Sequence, residues 1–317
     1  MTDTQNEVFK SPVNKIRLFE HGAPGSQNLK LTRKYYTEDM PDGRVKHIVQ
    51  NITDPDIVPY IPDGIGNSTD RQRIPAVLII PGGAFRRLVY NFEGEDVAKW
   101  LNSMGIAAFV LESRLPSDEH DNAEDVPLID AMRAMRVIRG RAQEFGIDEA
   151  KIGVMGFSAG GFMAALLSTA YESDVYADYK YKDEYDKLSA RPDFAVCSYP
   201  VISIDDCIEA GKRYMSEEQV LERISDSKAK ILHKYNPDKL VRPDMPPVFI
   251  CETDDDRTTL SENSVGFYMA ARKAGVSAEL HIFRTGGHGY GCGDDFAQTG
   301  EWKVLFTKWI KSIGIIS

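Results

Sequence analysis

The sequence predicts an α/β fold, a doubly wound and mostly parallel β-sheet with helices on both faces. Three observations predict it. Six short apolar runs recur along the 317 residues, at 76–80, 106–113, 151–157, 194–200, 247–253 and 278–283. Their hydrophobicity is continuous, which suits strands covered on both faces. Between them lie helical patterns: Leu128, Met132, Met135 and Ile138 follow one helix face, as do Trp302, Leu305, Phe306, Trp309, Ile310 and Ile313 within 301–314. Both stripes read as core packing.

Alternating strand and helix implies right-handed crossovers, so ligands should bind beyond the carboxyl ends of the strands. Functional residues are therefore expected just after the apolar runs. The chain length fits one domain spanning residues 1–317. Two long connections, 171–190 and 202–245, read as candidate lid segments; the first, YESDVYADYKYKDEYDKLSA, is polar and tyrosine-rich. Its Tyr171, Tyr176, Tyr179 and Tyr181 are candidates for substrate contact by ring stacking and hydrogen bonding.

Charge and composition narrow the function. Lys and Arg number 38 against 48 Asp and Glu, a net charge of −10, with no basic run, which argues against a nucleic-acid partner. No apolar stretch approaches membrane length and the first 30 residues hold no secretory-type run, so the expectation is a cytoplasmic protein without a membrane partner. Cys197, Cys207, Cys251 and Cys292 are widely spaced and read as reduced core or near-core thiols; no histidine pair has zinc-site spacing.

After the run ending at 157 comes Gly156-Phe157-Ser158-Ala159-Gly160, a G-x-S-x-G sequence that opens the small-residue helix AGGFMAALLSTA. Strand, tight turn and helix are the context in which such a serine is exposed as a nucleophile. Side chains two residues either side would obstruct the turn, so Gly156 and Gly160 permit it. A serine hydroxyl needs a base. His288 lies in Thr285-Gly286-Gly287-His288-Gly289-Tyr290-Gly291, directly after the last apolar run, whereas His281 is inside that run and His21, His47, His120 and His233 have no strand-end setting. The acid that orients the base should follow the preceding run, where Asp254, Asp255 and Asp256 stand together, with Asp205 and Asp206 as a poorer substitute. An oxyanion needs backbone donors. Ala159 begins the helix, and Gly83 or Ala84, in Pro81-Gly82-Gly83-Ala84-Phe85 after the first run, offers the second donor. Phe85 and Phe157 beside these donors are expected as walls of a closed acyl pocket.

With these residues in place, the chain resembles the α/β-hydrolase esterases that include acetyl xylan esterase-like and sugar-ester-hydrolysing enzymes, from about Ile16 to the end. The carriers are HGAPG, IIPGGAF with EGEDVAKWLNSMGIAAFVLESRLP, RAQEFGIDEAKIGVMGFSAGG, RPDFAVCSYPVIS, MPPVFICETDDD and AELHIFRTGGHGYG. The resemblance implies an α/β-hydrolase fold and selects Asp256 as the acid, because Thr259 stands three residues on and Asn263-Ser264 close the segment. Asp255 is the alternative. It also implies a small-molecule ester substrate, a short acyl group such as acetate on a sugar or small oligosaccharide, hydrolysed without metal or cofactor. An exopeptidase or amidase on the same fold is the rival enzyme, and a non-catalytic binding protein of this fold is the rival outside enzymes.

Overall fold

The computed structural model describes residues 9–64, 73–213, 215–216, 218–220, 230–293 and 298–317, without the side chains of Cys207 and Ala210. Among the described residues the main sheet has eight strands. In chain order the strands of the protein are β1 (Ile16–Arg17), β2 (Lys34–Asp39), β3 (Val45–Gln50), β4 (Asp56–Tyr60), β5 (Ile74–Ile80), β6 (Leu88–Val89), β7 (Ala107–Glu112), β8 (Ile147–Phe157), β9 (Ala195–Ser198), β10 (Val248–Thr253) and β11 (Ala278–Phe283). The large sheet runs β1-β4-β7-β5-β8-β9-β10-β11, and β2-β3-β6 form a small separate sheet. From β7 to β11 the pairing is parallel throughout, while β1 and β4 add an antiparallel edge. All six apolar runs are strands of the parallel part.

The α-helices whose bounds lie within the described residues are α1 (Asp96–Ser103), α2 (Val126–Gly140), α3 (Ala142–Phe145), α4 (Ala159–Ala170), α5 (Ile204–Lys212), α6 (Lys230–Lys234), α7 (Ser261–Lys273) and α8 (Trp302–Ser312). They divide between the two faces. Along β5, Ala76, Leu78 and Ile80 join the core beneath α2, α4 and α7, whereas Val77 and Ile79 join the core beneath α1 and α8. This is the two-residue strand period feeding two apolar layers. The predicted stripe of α2 is fully buried, as are Trp302, Phe306 and Ile310 on α8. Among the described residues no helix is long and apolar enough to cross a membrane. Cys197, Cys251 and Cys292 are buried free thiols, and the side chain of Cys207 lies outside the described residues.

The chain leaves β5, pairs next at β7 on one side and then returns to β8 on the other. That reversal puts a crevice at the carboxyl ends of β5 and β8. In-register pairing of Ile80 with Gly156 sets Pro81-Gly82 beside Ser158.

The same topology corrects the expectation for 171–190. Helix α4 carries the chain from Ser158 back past its twelve residues, about 18 Å at 1.5 Å per residue. The segment thus starts at the amino-terminal end of the sheet, where β9 must begin. Its side chains pack there and along α2: Tyr176 bonds Asp186 and Arg136, Asp183 and Asp186 hold Arg133, and Tyr179 donates to the Gly22 carbonyl with its ring edge-on to Phe19. Tyr171 donates to Asp244, and Tyr181 lies against His21. None of these contacts involves Ser158 or His288: Tyr176 fastens the segment to α2, Tyr179 and Tyr181 fasten it to residues 19–22, and Tyr171 to Asp244. The second segment, 202–245, starts beside the site after β9, and its positions 214, 217 and 221–229 lie outside the described residues.

Candidate active site

Ser158 occupies the turn between β8 and α4 with φ 53° and ψ −118°, a conformation that costs a non-glycine residue free energy. The flanking glycines make it sterically attainable. A Cβ on Gly156 would stand 1.9 Å from the Gly160 carbonyl oxygen, and one on Gly160 would stand 1.9 Å from that of Ile80. The turn is pinned from the next strand, since the Ser158 N–H donates to the Ser198 carbonyl at 3.0 Å.

Ser158 Oγ lies 2.9 Å from His288 Nε2, and His288 Nδ1 lies 2.6 Å from Asp256 Oδ2. The structure thus brings together the three residues singled out in the sequence. Asp256 is buried at the end of β10, where its Oδ1 accepts the N–H groups of Thr258 at 2.7 Å and Thr259 at 3.0 Å. Thr259 Oγ1 donates to Oδ2 at 2.9 Å. Burial alone would raise the Asp256 carboxyl, but the hydrogen bond and charge of His288 with the two amide donors outweigh it and hold the pKa below the ordinary value.

The three consecutive aspartates separate clearly. Asp254 is exposed, and Asp255 Oδ1 accepts the N–H groups of Gly286 at 3.0 Å and Gly287 at 2.8 Å. Asp255 therefore anchors the loop that carries His288 and does not touch the imidazole. Thr253 Oγ1 donates to the Gly287 carbonyl, and Trp302 Nε1 donates to that of Gly291. Asp205 and Asp206 begin α5, with Asp205 facing Lys239.

The Pro81-Gly82-Gly83-Ala84-Phe85 loop closes the other side. A Cβ on Gly82 would lie 2.9 Å from that of Ser158, so this backbone touches the nucleophile's turn. Ala84 and Phe85 both have positive φ, 56° and 59°. Strain in two consecutive non-glycine residues marks a loop held for a purpose other than stability. The Gly82 N–H is already taken by Glu93 Oε2 at 2.8 Å, which leaves the N–H groups of Gly83 and Ala84 as the ones to consider beside Ala159 at the start of α4.

A cavity of about 20 Å³ opens on this side, lined by Gly82, Phe85, Leu115, Pro127, Ala159 and Met163 among others. A site needs roughly 10–15 Å³ by this measure to hold one water, so the space suits a group of one or two heavy atoms. Phe85 is among its walls. Phe157 is not. As the last residue of β8 it continues the strand alternation and turns, with Met155, into the core under α1 and α8, where its ring meets Tyr199 at 5.8 Å and Trp302 at 6.3 Å.

Sequence reasoning missed Met163 and Leu115 in this wall, and it missed Glu93 and Tyr199. Met163 was hidden because every residue of Ala159–Thr169 is buried, so no amphipathic pattern singles it out. For Glu93 the available signal was an acidic residue in EGEDVAKW, close to a glycine loop.

The BD-FAE family model matches residues 65–270 of the chain. Acetylxylan esterase of Xylanibacter ruminicola is 31% identical over 240 residues, covering 75% of this chain and 45% of that protein. Endo-1,4-beta-xylanase B of Butyrivibrio fibrisolvens is 31% identical over 227 residues, covering 71% of this chain and 34% of that protein. The chain therefore spans less than half the length of these curated relatives. The structure of the acetyl ester-xyloside bifunctional hydrolase from Caldicellulosiruptor lactoaceticus is similar with a TM-score of 0.71 at 35% identity, covering 96% of this chain and 97% of that one. A family match over most of the sequence, with a structural match along nearly its whole length, means that the chain belongs to the BD-FAE family and has the α/β-hydrolase fold.

Proposed function

We propose that the protein is a serine esterase that removes short acyl groups, acetyl foremost, from sugars or small oligosaccharides. The observation that carries this reading is the continuous relay from Ser158 Oγ through His288 to Asp256, at 2.9 and 2.6 Å, beside a cavity the size of an acetyl methyl group. In this mechanism Ser158 Oγ attacks the ester carbonyl carbon while His288 Nε2 takes its proton. The resulting oxyanion is held by the N–H of Ala159, aided by the amino-terminal end of α4, and by that of Gly83 or Ala84. Collapse expels the sugar alkoxide, which receives the proton from His288. Water, deprotonated by the same imidazole, then attacks the acyl-enzyme and releases the carboxylate.

The relatives support the substrate class. One is named for acetylxylan and the similar structure for acetyl esters and xylosides. The test compares kcat/KM for 4-nitrophenyl acetate, butyrate and octanoate, together with an aminoacyl amide, and follows acetate release from acetylated xylo-oligosaccharides. Highest efficiency on acetate, with acetate freed from the sugars, is the expected result. A maximum at octanoate without sugar deacetylation would overturn the substrate reading, and faster turnover of the amide would overturn the bond type.

The cavity wall gives a sharper expectation. Met163 is buried among Phe85, Leu115 and Pro127, so Met163→Ala would lengthen the pocket by about the volume of a short alkyl chain. Each added methylene accommodated is worth about 1 kcal/mol or more, so the butyrate-to-acetate ratio of kcat/KM is expected to rise by about 10-fold or more. An unchanged ratio in a folded variant would place the acyl group elsewhere. The same change should cost about 2–5 kcal/mol of stability, as removing a buried side chain does, and a melting curve should accompany the kinetics.

A further inference from the structure

One buried carboxylate has no part in the chemistry above. Glu93 sits in the turn Asn91–Glu95 ahead of α1 and is 5% exposed. Burying a carboxylate costs several kcal/mol unless its oxygens are well partnered. Both oxygens of Glu93 are: Oε2 accepts the N–H of Gly82 at 2.8 Å, and Oε1 accepts the hydroxyl of Tyr199 at 3.0 Å. The Tyr199 oxygen in turn accepts the N–H of Gly291 at 3.1 Å, and its ring stands edge-on to the His288 ring at 5.1 Å. Tyr199 is fully buried with φ 38°, a further strained residue held in place by its contacts. An unbroken chain of hydrogen bonds thus links Gly82, Glu93, Tyr199 and Gly291. Its two ends lie in the two loops that meet over Ser158.

We propose that Glu93 is a positioning residue, a buried carboxylate that ties the loop of the oxyanion donors to the loop of His288 through Tyr199. The proposal rests on the serine esterase reading. An apolar residue would fill this space at less cost, so the carboxylate is explained by what it holds. With Oε2 accepting from the Gly82 N–H and Oε1 from the Tyr199 hydroxyl, it holds both loops at once. The titratable and charged groups about it are His288, Tyr199 and Lys46. Burial outweighs the opposing influence of His288, Tyr199, the Gly82 amide and Lys46 and holds the Glu93 carboxyl above its ordinary value. The Tyr199 hydroxyl, pushed well up by burial and then by Glu93, stays protonated and donates.

The test measures 4-nitrophenyl acetate hydrolysis by the wild type, Glu93→Gln, Tyr199→Phe, their double variant and Ser158→Ala, with circular dichroism and melting curves for each. Glu93→Gln is expected to lower kcat by about 10- to 100-fold, the loss typical of slightly misplaced groups, with KM little changed. Because Glu93 and Tyr199 act in one link, the double variant should lose little beyond the worse single variant.

Wild-type kcat in folded Glu93→Gln, or additive losses in the double variant, would overturn the proposal. If Glu93→Gln fails to fold, Tyr199→Phe decides: a fall in kcat at constant KM supports the link, and wild-type kcat overturns it. Ser158→Ala separates the two readings. Activity retained there removes the esterase mechanism and the link with it, whereas an inactive Ser158→Ala beside a fully active Glu93→Gln removes the link alone.

Discussion

Ser158→Ala and His288→Ala are each expected to lower kcat for ester hydrolysis by about 10⁶-fold, the order seen when one member of such a relay is removed. The double variant should fall little further, because a serine without its base and a base without its serine are equally idle. Neither change should unfold the protein. The Ser158 side chain makes no capping bond to α4, so the helix loses no partner with it. His288 is partly exposed on a loop that Asp255, Thr253 and Trp302 hold by its backbone. Turnover on 4-nitrophenyl acetate and labelling by a fluorophosphonate check both variants. Near wild-type turnover by folded Ser158→Ala would remove the serine from the mechanism.

What could be read from the sequence follows from what each signal encodes. Continuous apolar runs report burial on two faces, so β5 and β7 to β10 were legible, and the edge strand β11, none of whose residues is buried, was legible from its apolar run alone. The antiparallel edge and the small sheet were not. Strand β1 has two residues, β4 carries Pro59, and β2, KYYTED, buries no residue fully. Such strands are fixed by pairing with neighbours more than by their own pattern. Ser158 and His288 were legible because glycines must surround a side chain forced out on a tight strand-end loop. Nearness in sequence misled for Phe157, since strand alternation sends the residue before the nucleophile into the opposite core. The tyrosine segment misled for a topological reason. An insertion between a helix and the next parallel strand begins at the amino-terminal end of the sheet, away from the site, whereas one following a strand, as 202–245 does, begins beside it. Glu93 was invisible for a third reason. Its role depends on Gly82 and Tyr199, which chain order keeps apart and the fold joins.

Asp256→Asn is expected to lower kcat by about 10⁴-fold, whereas Asp254→Asn and Asp255→Asn should each retain most activity. The hydrogen bonds fix how the amide must lie. Thr258 and Thr259 both donate their N–H groups to Oδ1, so the asparagine oxygen has to stay there and its NH₂ has to face His288 Nδ1. Nδ1 then becomes the acceptor and the ring proton moves to Nε2, the atom that faces Ser158 Oγ. A protonated Nε2 cannot take the serine proton. Asp255→Asn keeps an oxygen for Gly286 and Gly287, so the His288 loop is preserved. Acid unfolding offers a second reading of the same residue. The folded-state pKa of Asp256 lies below its unfolded value, roughly 3.9, so its carboxylate contributes stability that is present above that value and is lost as the pH falls through the folded one. Asp256→Asn lacks this contribution, and its stability should fall less steeply over that acid range than that of the wild type. A larger kinetic loss in Asp255→Asn than in Asp256→Asn would transfer the orienting role to Asp255, and an acid-unfolding slope equal to the wild type's would mean that Asp256 carries no favourable charge in the fold.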